Sequence, residues 1–124
     1  MNEIPKISDS EWEIMKCIWA NYPITTNEII DKLFAKTQWK PTTVKTMLSR
    51  LVKKQVIDYK KVNRTFEYFP LVAEEDCMRA ESKSFLSKVY NGALNTMLAS
   101  FIEEEEMTDD DIEELKRMLD MKKK

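Results

Sequence analysis

Apolar positions recur at helical spacing three times in the N-terminal half of the chain. Trp12, Met15, Ile18 and Trp19 follow Ser8-Asp9-Ser10-Glu11, a capping box in which Ser8 caps the first turn and Glu11 reaches back. A helix is expected from about Asp9 to Asn21, stopped by Tyr22-Pro23, with Ile24 a short extended residue beyond it. Thr25-Thr26-Asn27-Glu28 makes a second capping box, and Ile29, Ile30, Leu33 and Phe34 give the apolar face of a helix ending near Lys36. The third helix opens at Pro41, whose missing N–H would be unsatisfied in a first turn anyway. Val44, Met47, Leu48, Leu51 and Val52 form its buried stripe.

Beyond the helices the period changes from helical to extended. Val56–Lys61 and Thr65–Pro70 are rich in branched and aromatic residues and are joined by Val62-Asn63-Arg64, which predicts a β-hairpin with a basic tip. Three helices followed by a hairpin in about seventy residues is the winged helix-turn-helix arrangement. From Glu74 a long helical stretch runs through Asn91, with Met78, Phe85, Leu86, Val89 and Tyr90 as apolar points, and Asn91-Gly92 interrupts it. Leu94, Met97, Leu98, Phe101 and Ile102 repeat the helical stripe, and Glu103–Glu106 reads as a solvated helix end. Thr108 caps a last helix with Ile112, Leu115, Met118 and Leu119 on one face. Asp109–Asp111 in its first turn and Lys122–Lys124 past its end complement the helix dipole.

The expected fold is therefore mainly α: a winged helix-turn-helix domain of three helices plus a β-hairpin wing over residues 1–72, then a C-terminal helical dimerisation domain over 73–124. A helical portion of that size buries too little surface to stand alone. Its stripes need a partner, either the first domain or, as the better choice, the same portion of a second chain. Phe85, Val89, Leu94, Met97, Leu98, Phe101, Ile102, Ile112, Leu115 and Leu119 are the expected dimer contacts.

Charge sharpens the picture. The whole chain carries −2, yet residues 1–72 hold 12 Lys/Arg against 8 Asp/Glu and residues 73–124 hold 8 against 14. Residues 36–64 alone hold 9 bases and one acid, Asp58, a footprint for a polyanion or a solvated face serving solubility. The helix that lies inside this stretch favours the first of these. Its solvent face reads Thr42, Thr43, Lys45, Thr46, Ser49, Arg50 and Lys53, with no acid and no bulky apolar group. Such side chains donate to phosphate oxygens and base edges.

Composition excludes several chemistries. There is no His, one Gly and two Cys, Cys17 and Cys77, far apart in sequence. That removes His-based triads, His-ligated zinc and Gly-rich phosphate loops, and no metal site, cofactor or catalytic residue is expected. No apolar run nears the ~18 residues of a membrane span and no signal-peptide pattern opens the chain, so a reduced, cytoplasmic protein without membrane insertion is expected.

The sequence resembles the penicillinase-repressor family, the BlaI/MecI repressors of β-lactam resistance operons. The resemblance covers nearly the whole chain. It is carried by Ile7-Ser8-Asp9-Ser10-Glu11-Trp12-Glu13-Ile14-Met15, by Thr26-Asn27-Glu28-Ile29-Ile30, and by the run from Trp39 to Lys54. Lys83-Ser84-Phe85-Leu86, Val89-Tyr90-Asn91-Gly92 and Ile112-Glu113-Glu114-Leu115 extend it. It implies a homodimeric repressor on pseudo-palindromic double-stranded operator DNA, released by proteolysis after a membrane sensor detects antibiotic. The family's cleavage point usually reads Asn-Phe; the matching pair is Ser100-Phe101. Related copper-responsive repressors carry a Cys-x-Cys motif near the C-terminus, which Met118–Lys124 lacks.

Two recognition helices on one dimer would then enter successive major grooves. Thr42, Thr43, Lys45, Thr46 and Arg50 are expected to reach bases and nearby phosphates, and Lys53, Lys60, Lys61 and Arg64 mainly to hold phosphates. Arg64, at the wing tip, is the expected minor-groove visitor. The alternatives are a winged-helix repressor answering another signal and a protein-interaction module without DNA.

Overall fold

A computed structural model of the chain describes residues 4–123; Lys124, one of the lysines expected past the last helix, lies outside the described residues. The element order is α1 (Asp9–Asn21), β1 (Ile24–Thr25), α2 (Thr26–Thr37), α3 (Pro41–Lys53), β2 (Ile57–Val62), β3 (Thr65–Pro70), α4 (Glu74–Tyr90), α5 (Leu94–Glu104) and α6 (Asp109–Lys123). The chain forms two compact units, the first ending at Glu81 and the second beginning at Ser82.

Both capping boxes close as the sequence predicts. The Ser8 N–H donates to Glu11 Oε1 at 2.9 Å and the Glu11 N–H to Ser8 Oγ at 3.2 Å. At α2 the Thr25 N–H donates to Glu28 Oε1 at 3.0 Å and the Glu28 N–H to Thr25 Oγ1 at 3.2 Å. Helix α1 ends at Tyr22, which is extended because the following Pro23 disfavours the helical region there. Helix α2 runs to Thr37, one residue past Lys36, and Gln38 closes it in the left-handed region with φ 55°.

The sheet differs from a lone hairpin. It has three strands in the order β1-β3-β2, with Ile24 paired to Tyr68 and Thr25 to Glu67. The extended Ile24 is thus the start of a two-residue strand. Strand β2 also begins one residue later and ends one residue later than expected, because Val62 pairs with Thr65 and leaves only Asn63 and Arg64 in the turn. A two-residue hairpin loop needs a positive φ, and Asn63 supplies it at 58°.

One core unites the first unit. Ile14, Met15 and Ile18 of α1, Ile29 of α2, Val44, Leu48 and Leu51 of α3, and Val56 and Ile57 at the hairpin are all buried. Each such side chain contributes about 1.5–3 kcal/mol of burial. Cys77 is buried in the same core, so the first turns of α4 belong to this unit and the division falls later than the charge reversal at Val72. Both cysteines are free, and burial pushes both thiols up, Cys77 with help from Asp76 and Glu74. They act as small core side chains.

The second unit is built differently. Asn91 (φ 51°) and Gly92 (φ 84°) end α4 with two successive left-handed residues, which is where the one glycine is needed. Thr108 caps α6 by exchanging hydrogen bonds with Asp111, both at 3.1 Å. No described residue from 82 onward is buried.

Candidate nucleic-acid interface

Helix α3 displays the face the sequence assigned to it. Thr42, Thr43, Lys45, Thr46, Ser49, Arg50 and Lys53 are all exposed, while Val44, Met47, Leu48 and Leu51 are buried beneath them. The wing stands beside this face. An open groove of about 390 Å³ is lined by Lys45 and Ser49 of α3, by Arg64, Thr65, Phe66 and Tyr68 of the hairpin, and by Thr25, Thr26 and Asn27 where α2 begins. A second groove runs along the other side of α3, lined by Thr42, Thr43, Thr46, Met47 and Arg50 together with Ser8, Ser10 and Trp39. Neither groove is lined by a carboxylate; the first offers hydroxyls, the Asn27 amide and two cations to an approaching polyanion, the second hydroxyls and Arg50.

The strand register sorts the wing. Ile57, Tyr59 and Lys61 share the face of Phe66, Tyr68 and Pro70; Asp58, Lys60 and Val62 share the other with Thr65, Glu67 and Phe69. The Tyr59 ring packs at a tilt against Phe66 and Tyr68, with centroids 4.8 Å and 5.7 Å away, so an aromatic row lines the first face. Lys61 stands at the tip end of that aromatic row, across from Phe66. Lys60 stands behind it, across from Glu67, so the two lysines are not brought together.

The basic stretch is also less free than its count suggests. Lys36 Nζ pairs with Glu13 at 2.7 Å. Lys54 Nζ donates to Glu11 Oε1 at 2.6 Å and to the carbonyl of Lys6 at 2.8 Å. Lys40, Lys45, Arg50, Lys53, Lys60, Lys61 and Arg64 make no ion pair among the described residues. On α3 the Thr46 hydroxyl donates to the Thr42 carbonyl at 2.9 Å, so it presents its oxygen and methyl outward until the hydroxyl rotates.

Sequence reasoning passed over Thr26, Asn27 and Phe66 in the first groove and Ser8, Ser10 and Trp39 in the second. Ser8 had already been assigned as a cap, and the capping-box pattern likewise accounted for Thr26 and Asn27. Only the β1–β3 pairing, which no local pattern reveals, sets the start of α2 beside the hairpin.

Among the described residues no group of His, Cys, Asp and Glu is placed to hold a metal ion, and no helix is long and apolar enough to cross a membrane. The C-terminal apolar set is solvent-facing in the single chain. Phe85, Val89, Leu94, Leu98, Phe101, Ile102, Ile112, Leu115 and Leu119 are exposed and Met97 is half-buried. Ser100 and Phe101 lie within α5.

The family described as penicillinase repressor matches residues 7–121. The penicillinase repressor of Bacillus licheniformis is 42% identical over 120 residues, covering 97% of this chain and 94% of that protein. The methicillin resistance regulatory protein MecI of Staphylococcus aureus is 40% identical over 121 residues, covering 98% of each. The solution structure of the DNA-binding domain of the repressor BlaI superimposes with a TM-score of 0.56 at 46% identity, covering 61% of this chain and 93% of that one. The Bacillus licheniformis BlaI monomeric form in complex with the blaP half-operator superimposes with a TM-score of 0.54, at the same identity and coverage.

Proposed function

The chain belongs to the penicillinase repressor family, and from that membership we infer that it is a DNA-binding transcriptional repressor, not an enzyme. The observation that carries the DNA-binding role is the exposed, acid-free face of α3 between two grooves without carboxylates. Arg50 reads a base edge there, since a guanidinium can bond a guanine bidentately. Thr42, Thr43, Lys45 and Thr46 meet bases and adjoining phosphates; Lys53, Lys61 and Arg64 hold the backbone, and Lys60, on the other face of the wing across from Glu67, contributes less than expected.

The protein acts as a homodimer through its C-terminal helices, the expected domain 73–124 less the first turns of α4, which pack into the first unit's core. The support is that α5 and α6 bury no residue in a single chain, while Leu94, Phe101, Ile102 and Leu119 stand exposed. A second copy would cover these faces and set two α3 helices one DNA turn apart, or a small multiple, on a pseudo-palindromic operator. The regulated genes are those of β-lactam resistance, as the names of the relatives suggest. A cytoplasmic repressor of this kind would be released when a sensor-controlled protease cuts at Ser100–Phe101, dividing α5. Ser100 in place of the family's usual Asn favours a second reading, the same repressor answering a different signal.

The test is to select duplexes from a random pool with the purified full chain. A dyad-symmetric consensus bound far more tightly than its scrambled form supports the repressor. Recovery of no consensus, with equal affinity for all duplexes, refutes it.

A further inference from the structure

Helix α3 is packed on the first unit through Val44, Met47, Leu48 and Leu51. Apolar contacts of this kind are non-directional, so at its buried face the helix is held by shape complementarity and not by any directed bond. A polar tie fixes it at one end. Lys54, the C-cap residue, donates its backbone N–H to the Arg50 carbonyl at 2.9 Å, which sets it one turn beyond the base-reading arginine. Its ammonium then reaches back 43 residues to Glu11, whose side chain is 2% exposed, and to the Lys6 carbonyl. Among the described residues this is the one side-chain hydrogen-bonding set that joins α3 or its caps to another element.

The same Glu11 oxygen that accepts from Lys54 accepts the Ser8 N–H. Thus the start of α1 and the end of α3 share one carboxylate oxygen. Ser8 also lines the groove that holds Thr42, Thr43, Thr46 and Arg50. The opposite end of α3 has no side-chain cap at Lys40. An ionised, directional bond therefore ties the C-terminal end of α3 to the start of α1.

We propose that Glu11 and Lys54 are positioning residues for DNA recognition: their ion pair fixes the seat of α3 against α1 and so the alignment of Arg50 with its base. The proposal rests on the repressor reading above. Lys54 contributes no phosphate contact, because its ammonium is turned to Glu11 and the Lys6 carbonyl.

The test uses the duplex selected by the wild-type protein and a scrambled duplex of the same length, at a temperature where circular dichroism shows each variant folded. A wild-type protein that prefers neither duplex overturns the repressor reading and this role with it. Lys54→Met keeps the aliphatic stem and removes the ammonium. It should lose about tenfold on the selected duplex, the loss of one well-made base contact. On the scrambled duplex it should stay within about twofold, with an unchanged salt slope. Lys54→Arg, which restores the charge within reach of Glu11, should recover the preference. Glu11→Gln decides independently and retains the capping oxygen should Lys54→Met fail to fold. It removes an acid, so charge alone would tighten binding to every duplex; lost positioning instead lowers the preference for the selected one. Equal losses on both duplexes with a flatter salt slope would make Lys54 a phosphate contact and overturn the proposal. So would variants that melt earlier yet keep the wild-type preference while folded, since the pair would then brace the fold alone.

Discussion

Lys60 and Lys61 are neighbours in the chain and stand on opposite faces of the wing: Lys60 pairs across from Glu67, Lys61 across from Phe66. Lys61 shares the aromatic face whose Phe66 and Tyr68 line the groove beside α3. Lys61→Ala should weaken binding to all duplexes and flatten the salt slope by about 1, the share of one phosphate contact. Lys60→Ala should do much less of both, because Glu67 faces it. Fluorescence-anisotropy titrations at several salt concentrations compare the two; equal slopes for both variants would contradict the division.

Arg50→Ala should lower affinity for the selected duplex by about 1–3 kcal/mol and relax the preference at one base-pair position in each half-site. Repeating the selection with the variant checks this. A uniform loss at every position would make Arg50 a backbone contact.

The Glu11 carboxyl gives the first unit a defined acid response. Burial pushes it up, but hydrogen bonds from Lys54 and Ser8 and the Lys54 charge outweigh this, and its value falls below the ordinary 4.5. Its folded value is thus depressed, so its stabilisation is complete above the ordinary value and is lost as pH falls through the lower folded one. Glu13, held down by Lys36, and Glu28, held down by Thr25, act in the same direction. Thermal melts should drop as pH falls below the ordinary carboxylate value of 4.5, and the drop should be shallower in Glu11→Gln. An identical drop would show that Glu11 has no part in it. At neutral pH, Glu11→Ala should cost about 1–3 kcal/mol, since it leaves the Ser8 N–H without its acceptor and Lys54 with the Lys6 carbonyl alone.

Ending the chain after Ser100 removes Phe101, Ile102 and all of α6, each lost large apolar side chain being worth about 1.5–3 kcal/mol of burial in a dimer. The full chain should sediment as a dimer at tens of micromolar and the shortened chain as a monomer. Its affinity for a two-half-site duplex should fall by orders of magnitude, because the linked second half-site is gone. A shortened chain that remains dimeric and binds as tightly would rule out release by a cut at this bond.

Local signals carried most of this fold. The Ser8/Glu11 and Thr25/Glu28 boxes start their helices where the sequence put them, and the α3 stripe buries Val44, Met47, Leu48 and Leu51 as its period requires. What escaped was non-local. Strand β1 has two residues and a partner more than forty positions away, too short for any period to register. Lys54 reads as one more surface base until the fold brings Glu11 to it. The facing of Lys60 and Lys61 depends on whether the turn holds two residues or three, a difference of one position that reverses every side chain on β2. The end of the first unit is hidden inside a continuous helix, where Cys77 still belongs to the core although the charge has already changed sign.

Whether the α3 face reads DNA sequence is decided by the ratio of affinities for the selected and scrambled duplexes at one salt concentration, for wild type and Arg50→Ala. Wild type should prefer the selected duplex by about a thousandfold or more, as for specific over non-specific binding generally, and Arg50→Ala should reduce that preference at least about fivefold. A wild-type ratio near one, or a large ratio that Arg50→Ala leaves unchanged, would contradict sequence reading by this face.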